Sequence, residues 1–284
     1  MYNFKLNSLI YKKTGSNKKY CQDYVNARTF PNGISVVALA DGLGSKKKSD
    51  IGARIAVETT IEKIGTLLSE NDINHLNPND IASNLLLDIK SKIVKLAGSE
   101  DIKDYSSTLL FYAIKENTMI IGQIGDGYIA VKKKNSDFKL VFSPKNDDIE
   151  VNHTETIFSK SKYMNLAKCN VKDIDYIFIS SDGTDKLKRN NFAKTHSYTP
   201  FITSKKYNRK PQVPIFNTLS LILKDTSNGF FKVNNYSLDI IKAMQEMLVI
   251  NVPDDDVTFA FTRPNTEGVS YRVVELLEAI SKNS

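Results

Sequence analysis

The chain has 284 residues, of which 41% are hydrophobic and 25% charged, a composition typical of a globular protein and not of a disordered or membrane-spanning one. Its formal net charge of +7 admits an anionic partner, but the lysines are dispersed, which favours a solvated basic surface over a nucleic-acid interface. Two cysteines far apart in sequence imply no disulfide framework, and no apolar run is long enough to span a bilayer. We therefore expect a cytoplasmic monomer that binds neither nucleic acid nor membrane.

The first hundred residues predict two strands followed by two helices. Residues 4–11 alternate loosely, and residues 34–40 form a continuous apolar run, so both segments are expected to be strands. Apolar residues recur at helical spacing over residues 49–68. A second amphipathic pattern follows Asn79 and Asp80, which can cap its start, and ends at Gly98.

The rest of the chain predicts a series of short strands. They cover residues 107–114, 118–124, 128–133, 138–142, 175–180 and 257–261, with helices over 237–248 and 270–280. Residues 188–235 are rich in Asn, Lys, Ser, Thr and Pro, which predicts a long loop or flap. This order favours antiparallel sheets with helices packed outside them, in a single domain that spans residues 1–284.

Acidic residues stand where several of these strands end. Three predicted strands lead into Asp-Gly pairs, which are Asp41-Gly42, Asp126-Gly127 and Asp182-Gly183, and further acidic positions are Asp23 and residues 254–256. A strand end holds a carboxylate on a rigid element, and a following glycine lets the backbone turn sharply or approach a ligand closely. Each pair taken singly is most simply a turn. If they converge, however, they form an all-oxygen site suited to Mg²⁺ or Mn²⁺.

These motifs, in this order, resemble the metal-dependent protein serine/threonine phosphatases of the PPM class, also called type 2C. Leu43 stands where that family often has His, as in many bacterial members. The resemblance extends from about residue 4 to residue 262, and it implies an α+β fold, a four-layer α-β-β-α sandwich of two antiparallel sheets flanked by helices. The matching segments are residues 21–25, 37–45, 52–56, 107–110, 124–127, 179–183 and 254–258.

The resemblance also implies a centre of two metal ions, Mn²⁺ or Mg²⁺. Asp41 would bridge the ions, and the carbonyl oxygen of Gly42 would help to ligate one of them. Asp23 would act beside this pair through its carboxylate or through bound water.

Three further aspartates complete the implied centre. Asp182 and Asp255 would hold the second ion, and Asp126 would contribute to a third, weaker site. Asp255 is preferred over its acidic neighbours as the ligand. Asp185 lies three residues beyond Asp182, where the family usually has an aspartate four residues beyond, so the third site is left open.

Two residues depart from the family pattern. Gln22 replaces the Glu that commonly precedes the first aspartate, which lowers the negative charge there. Lys18 stands where the family often has an Arg that binds the substrate phosphate. An ammonium group lacks the bidentate fork of a guanidinium, so we expect Lys18 to bind phosphate with less orientation.

The sequence therefore predicts a phosphoric monoester hydrolase. Its expected reaction is metal-dependent hydrolysis of phosphoserine and phosphothreonine in proteins by a water that two metal ions activate, opposite a cognate serine/threonine kinase. A phosphorylated small molecule stays open as a substrate. The alternative is a catalytically silent module of the same fold that binds a partner or kinase.

Overall fold

The structure, a computed structural model, describes residues 7–16, 18–133, 136, 138–142, 154–186 and 255–263. The predicted flap over residues 188–235 and the predicted helices over 237–248 and 270–280 lie outside the described residues. The strands are β1 (Asn7–Lys13), β2 (Tyr24–Thr29), β3 (Ser35–Ala40), β4 (Leu109–Lys115), β5 (Thr118–Ile124), β6 (Tyr128–Lys133), β7 (Phe138–Leu140), β8 (Asn165–Asn170), β9 (Ile174–Ser180) and β10 (Val257–Arg263). Helices α1 (Ser49–Glu70) and α2 (Pro78–Ala97) lie between β3 and β4.

The strands form two five-stranded sheets in which every pair is antiparallel. The first sheet has the order β1-β10-β9-β6-β7, and the second has the order β2-β3-β4-β5-β8. The sheets pack face to face over an apolar core. Its buried members include Leu39, Leu110, Tyr112, Ile121, Ile129, Ile177, Ile179 and Ala260.

The second sheet is covered on both faces, which explains the unbroken apolar run of β3. Val37 and Leu39 point to the core between the sheets, whereas Val36 and Ala38 point to the helices, as the two-residue period of a strand requires. All six residues of β3 are buried. A strand in this position needs apolar residues throughout, whereas a strand with one wet face would alternate.

Helices α1 and α2 form the layer outside the second sheet. Small residues such as Ala53 and Ala56 bring α1 close to β3, and α2 packs beside α1. Helix α2 begins at Pro78, and the Asn77 side chain caps it by accepting a hydrogen bond from the Asn79 N–H at 3.0 Å. The cap is therefore two residues earlier than predicted, because Pro78 suits the first helical position.

The predicted fold class is confirmed for the described residues, which form two stacked antiparallel sheets with helices outside. Two strands were not predicted, namely β2 and β8, and both are edge strands of the second sheet. Their side chains are half-buried or exposed, so their sequences lack the apolar run that marks central strands. None of the helices in the described ranges has the length and apolarity needed to cross a membrane.

We predict that Gly52→Ala lowers the free energy of unfolding by about 1–3 kcal/mol, the usual cost of overpacking. A Cβ atom at Gly52 would lie 1.9 Å from the carbonyl oxygen of Tyr105, a backbone atom that no rotamer change can move away. Urea unfolding measures the effect. Gly44→Ala is the control, since its Cβ would meet nothing nearer than 3.9 Å, and equal midpoints for the two variants would contradict the prediction.

Candidate metal centre

The topology brings four of the predicted aspartates to one end of the two sheets. Asp23 directly precedes β2, and Asp41 directly follows β3, which are paired so that Tyr24 faces Ala40. In the other sheet Ser180 at the end of β9 faces Phe259 near the start of β10. Asp182 therefore leaves its sheet beside the point where Asp255 enters it.

Asp23 is the most buried of these four carboxylates, with an exposed fraction of 1%. Neither of its carboxylate oxygens accepts a hydrogen bond of normal geometry from the described residues. Burial raises the pKa of Asp23, and the nearby Asp41, Ser181 and Thr258 only partly offset that effect. A buried carboxylate without satisfied oxygens is costly unless a cation or a proton compensates it.

Two hydrogen bonds to Thr108, the residue just before β4, hold the backbone of Asp41. Its N–H donates to Thr108 Oγ1 at 2.9 Å, and its carbonyl oxygen accepts from the Thr108 N–H at 2.8 Å. Burial raises the pKa of Asp41 well above its ordinary value, and the negative charges of Asp23, Asp182 and Asp255 raise it further. The four carboxylates are therefore electrostatic neighbours, as the sequence predicted.

Asp256 has a different function from Asp255. It is 1% exposed and accepts hydrogen bonds from the N–H groups of Gly15 at 2.9 Å and Gln22 at 2.7 Å. Lys18 Nζ donates to the same carboxylate at 3.2 Å. Asp256 thus fastens residues 15–22 to the start of β10 and so positions Asp23. Its oxygens are already used, which leaves Asp255 as the available ligand of the two.

Lys18 lies between these two carboxylates. Its ammonium group is 2.5 Å from Asp255 Oδ1 and 3.2 Å from Asp256 Oδ2. Burial lowers the pKa of Lys18, but the hydrogen bonds and charges of Asp255 and Asp256 outweigh it and hold that pKa above its ordinary value. The residue expected to bind substrate phosphate is therefore ion-paired with a predicted metal ligand.

Gln22 braces the neighbouring loop. Its side-chain amide donates to Ser49 Oγ at 2.7 Å and to the Lys46 carbonyl oxygen at 3.4 Å, at the start of α1. Gly42, which follows Asp41, forms an isolated antiparallel bridge with Ser107. These contacts had no signal in the sequence, because they join segments that are distant along the chain.

Gly183 shows why a glycine follows Asp182. A Cβ atom at this position would lie 1.9 Å from the carbonyl oxygen of Asp256. The glycine therefore allows the backbone after β9 to touch the backbone before β10, which brings Asp182 and Asp255 to the same place. The sequence predicted a turn or a close approach, and the structure shows the close approach.

Asp126 lies in the turn between β5 and β6. Its carboxylate accepts a hydrogen bond from Thr154 Oγ1 at 2.8 Å, which joins this turn to the start of the segment 154–186. Asp185 lies in the 3₁₀ segment Asp182–Lys186 that follows β9.

The chemistry of this donor set suits a hard divalent cation. Four clustered carboxylates, one of them buried with both oxygens unsatisfied, present oxygen ligands and excess negative charge. Among the described residues, however, no group of three or more His, Cys, Asp or Glu side chains is arranged to hold a metal ion. Lys18 pairs with Oδ1 of Asp255, one of the predicted ligands. The residues therefore fit the metal in kind, and a metal ion at Asp255 would compete with the Lys18 ammonium group.

Comparison with known families identifies this kind of protein. The model of the protein phosphatase 2C family matches residues 12–213, and the chain belongs to that family. A Streptococcus pyogenes serotype M6 protein, which carries the provisional description of a 2C-type protein phosphatase, is 29% identical over 118 residues. That match covers 41% of this chain and 46% of the relative, so the chain spans less than half the length of this curated relative.

Solved structures share the fold. The serine/threonine phosphatase Stp1 from Staphylococcus aureus matches with a TM-score of 0.65 and 14% identity, over 92% of this chain and 96% of that one. The catalytic domain of the serine/threonine protein phosphatase PstP, in complex with two manganese ions, matches with a TM-score of 0.60 and 13% identity. This second match covers 91% of this chain and 97% of that one.

We predict that Asp41→Asn stabilises the metal-free protein at neutral pH. Because its folded pKa is raised, the Asp41 carboxyl favours folding at low pH and loses that contribution as the pH rises through the folded pKa. The amide carries no charge, so the variant should melt about 2–4 °C higher, the shift that 1 kcal/mol produces in a domain of this size. Thermal melts between about pH 5 and 8 in EDTA test this.

The control for that experiment is Asp173→Asn, which removes a charge from an exposed position. It should leave both the melting temperature and its pH dependence unchanged. A melting temperature for Asp41→Asn that is lower than that of the parent at every pH would show that the carboxylates do not repel each other.

We also predict that Asp256 and Asp255 differ in their contribution to stability. Asp256→Ala leaves two buried N–H groups without their acceptor and should cost about 3 kcal/mol or more. Asp255→Ala removes a partly exposed ion pair and a part-buried hydrogen bond that Oδ1 accepts from the adjacent Asp256 N–H at 2.9 Å, and should cost about 1 kcal/mol. Urea unfolding of both variants measures this, and Asp256→Asn, which keeps one acceptor oxygen, should be intermediate. Equal costs for Asp255→Ala and Asp256→Ala would refute the distinction.

Proposed function

We propose that this protein is a metal-dependent phosphatase that hydrolyses phosphoserine and phosphothreonine in proteins. The observation that carries the proposal is the buried Asp23 with Asp41, Asp182 and Asp255 beside it, a charge arrangement that is costly unless cations or protons compensate it. Membership of the protein phosphatase 2C family supports the same activity. We further propose a cytoplasmic monomer, one domain with a flap over residues 188–235, that opposes a serine/threonine kinase.

The clustered aspartates and Gly42 would hold two metal ions. Asp41 and the carbonyl oxygen of Gly42 would hold one Mn²⁺ or Mg²⁺ ion, and Asp182 and Asp255 would join Asp41 in holding the second. Asp23 would fix this group from the buried side. Bound metal would supply a water of lowered pKa and neutralise phosphoryl charge. The strand ends give these side chains a rigid support, which keeps the carboxylates in place without further rearrangement.

Asp126 and Lys18 would act at the margins of this group. Asp126 would contribute to a third metal site through Oδ1, since Thr154 Oγ1 donates to Oδ2. Lys18 would stay on the buried Asp256 when Asp255 turns to a metal ion, and its remaining N–H donors would then orient the substrate phosphate. Because an ammonium group rotates freely, this orientation is weaker than that of a guanidinium.

The second candidate is a catalytically silent module that binds a partner through the same fold. One observation favours it, namely the ion pair between Lys18 and Asp255, which engages a predicted metal ligand. The two candidates differ in a single measurable property, because only the phosphatase turns over substrate when metal is added.

The test is hydrolysis of p-nitrophenyl phosphate and of a phosphothreonine peptide with Mn²⁺, with Mg²⁺ and with EDTA. We expect metal-dependent release of phosphate that falls by about 100-fold or more in Asp41→Asn, since the bridging carboxylate is lost. Asp173→Asn, an exposed aspartate, serves as the matched control. A folded protein that shows no turnover with either metal would replace the phosphatase with the silent module.

A further inference from the structure

A basic pocket lies beside the metal centre. It is an open depression of about 320 Å³, and we call it the lysine pocket. Four of its eight lining residues carry a positive charge, and none carries a negative one. The lining residues are Lys18, Lys19, Tyr20, Gln22, Gly44, Ser45, Lys46 and Lys47.

Three of these four lysines have no counter-charge among the residues that the structure describes. Lys18 is paired with Asp255 and Asp256. In the part of the chain that the structure describes, Lys19, Lys46 and Lys47 form no ion pair. By contrast, the next lysine along the chain, Lys48, is paired with Glu100. The lysine pocket therefore concentrates positive charge that the described residues leave unbalanced.

The pocket and the metal centre share the same two chain segments. Residues 18–22 line the pocket and lead directly into Asp23. Residues 44–47 line it on the other side and follow Asp41-Gly42. The Gln22 amide links the two segments by donating to the Lys46 carbonyl oxygen at 3.4 Å. A polypeptide whose phosphorylated residue reaches the metal centre would thus pass its neighbouring residues over the lysine pocket.

We propose that the lysine pocket binds a second anionic side chain of the phosphoprotein substrate, close in sequence to the residue that is dephosphorylated. The ligand chemistry is a carboxylate or a phosphate, which the ammonium groups of Lys19, Lys46 and Lys47 attract. Tyr20, 47% exposed at the wall of the pocket, offers an apolar face to the peptide chain. The proposal rests on the proposed phosphatase function and adds a substrate class, acidic or multiply phosphorylated segments.

A peptide series tests this preference directly. Three phosphothreonine peptides of one length carry neutral residues, glutamates or a second phosphoserine beside the phosphothreonine. We expect kcat/KM for the two anionic peptides to exceed that for the neutral peptide by about fivefold or more, mainly through KM, and the advantage to shrink as KCl is raised. An advantage for only one of the anionic peptides identifies whether carboxylate or phosphate is the ligand, and supports the proposal.

The matched variants separate the pocket from the overall charge of the protein. Lys46→Gln/Lys47→Gln removes two pocket charges, and the backbone carbonyl of residue 46 can still accept its hydrogen bonds. Lys95→Gln/Lys139→Gln removes two charges from exposed positions on α2 and β7. The first variant should bring the ratio of anionic to neutral peptide close to one, and the second should leave it unchanged. Equal ratios in both variants, or no preference in the parent, would overturn the proposal.

A binding measurement keeps this inference separate from catalysis. Fluorescence anisotropy with labelled forms of the same three peptides is measured on Asp41→Asn, with and without the pocket substitutions. Tighter binding of the anionic peptides that depends on Lys46 and Lys47 supports the pocket even if no peptide is hydrolysed, in which case only the phosphatase proposal fails. Hydrolysis without any preference in rate or in binding would remove the pocket and leave the phosphatase.

Discussion

Repulsion among closely placed carboxylates is the constraint on which the organisation of this end of the molecule depends. Asp23 is buried, the half-buried Asp41 lies beside it, and Asp182 and Asp255 add two further charges. Such a group destabilises the fold, so it persists only where the surrounding structure is strong enough to hold it. That strength comes from the central strands, since all of β3 and all of β9 except the half-buried Asp175 are buried, and these strands lead into Asp41 and Asp182.

Two carboxylates that are adjacent in sequence therefore have opposite effects on stability. Asp256 is satisfied by two backbone N–H groups and Lys18, so it ties the chain before Asp23 to β10. Asp255 is partly exposed and has Lys18 as its counter-charge, so it is free to exchange that cation for another. The folded protein thus contains its own substitute cation. A metal ion that binds Asp255 must compete with the Lys18 ammonium group as well as with water. Because Asp256 holds Lys18 beside Asp255, the strength of that second ion pair also affects the affinity for metal.

The central strands and both long helices were predictable because their apolar periods are long and unambiguous, as in β3 and α2. The edge strands β2 and β8 were not, since a strand paired on one side only carries mixed side chains. For the site, the resemblance to the family implied a common metal centre for Asp23, Asp41, Asp182 and Asp255, and the structure places these four carboxylates near one another. The anchoring by Asp256 could not be predicted, because the N–H groups that donate to its carboxylate belong to Gly15 and Gln22, more than 200 residues away in sequence.

The two departures from the family pattern acquire a physical meaning in the structure. Gln22 uses its amide to donate to Ser49 and Lys46, which a carboxylate could not do, so the neutral side chain fastens the loop that follows Asp41. The Lys18 ammonium group contacts two carboxylates at once, those of Asp255 and Asp256. Gln22 in place of Glu shifts the local balance toward positive charge, whereas Lys18 keeps the single positive charge of an Arg. On the same two segments stand lysines that form no ion pair with any residue that the structure describes. A site that is relatively poor in negative charge at its entrance suits a substrate that brings its own.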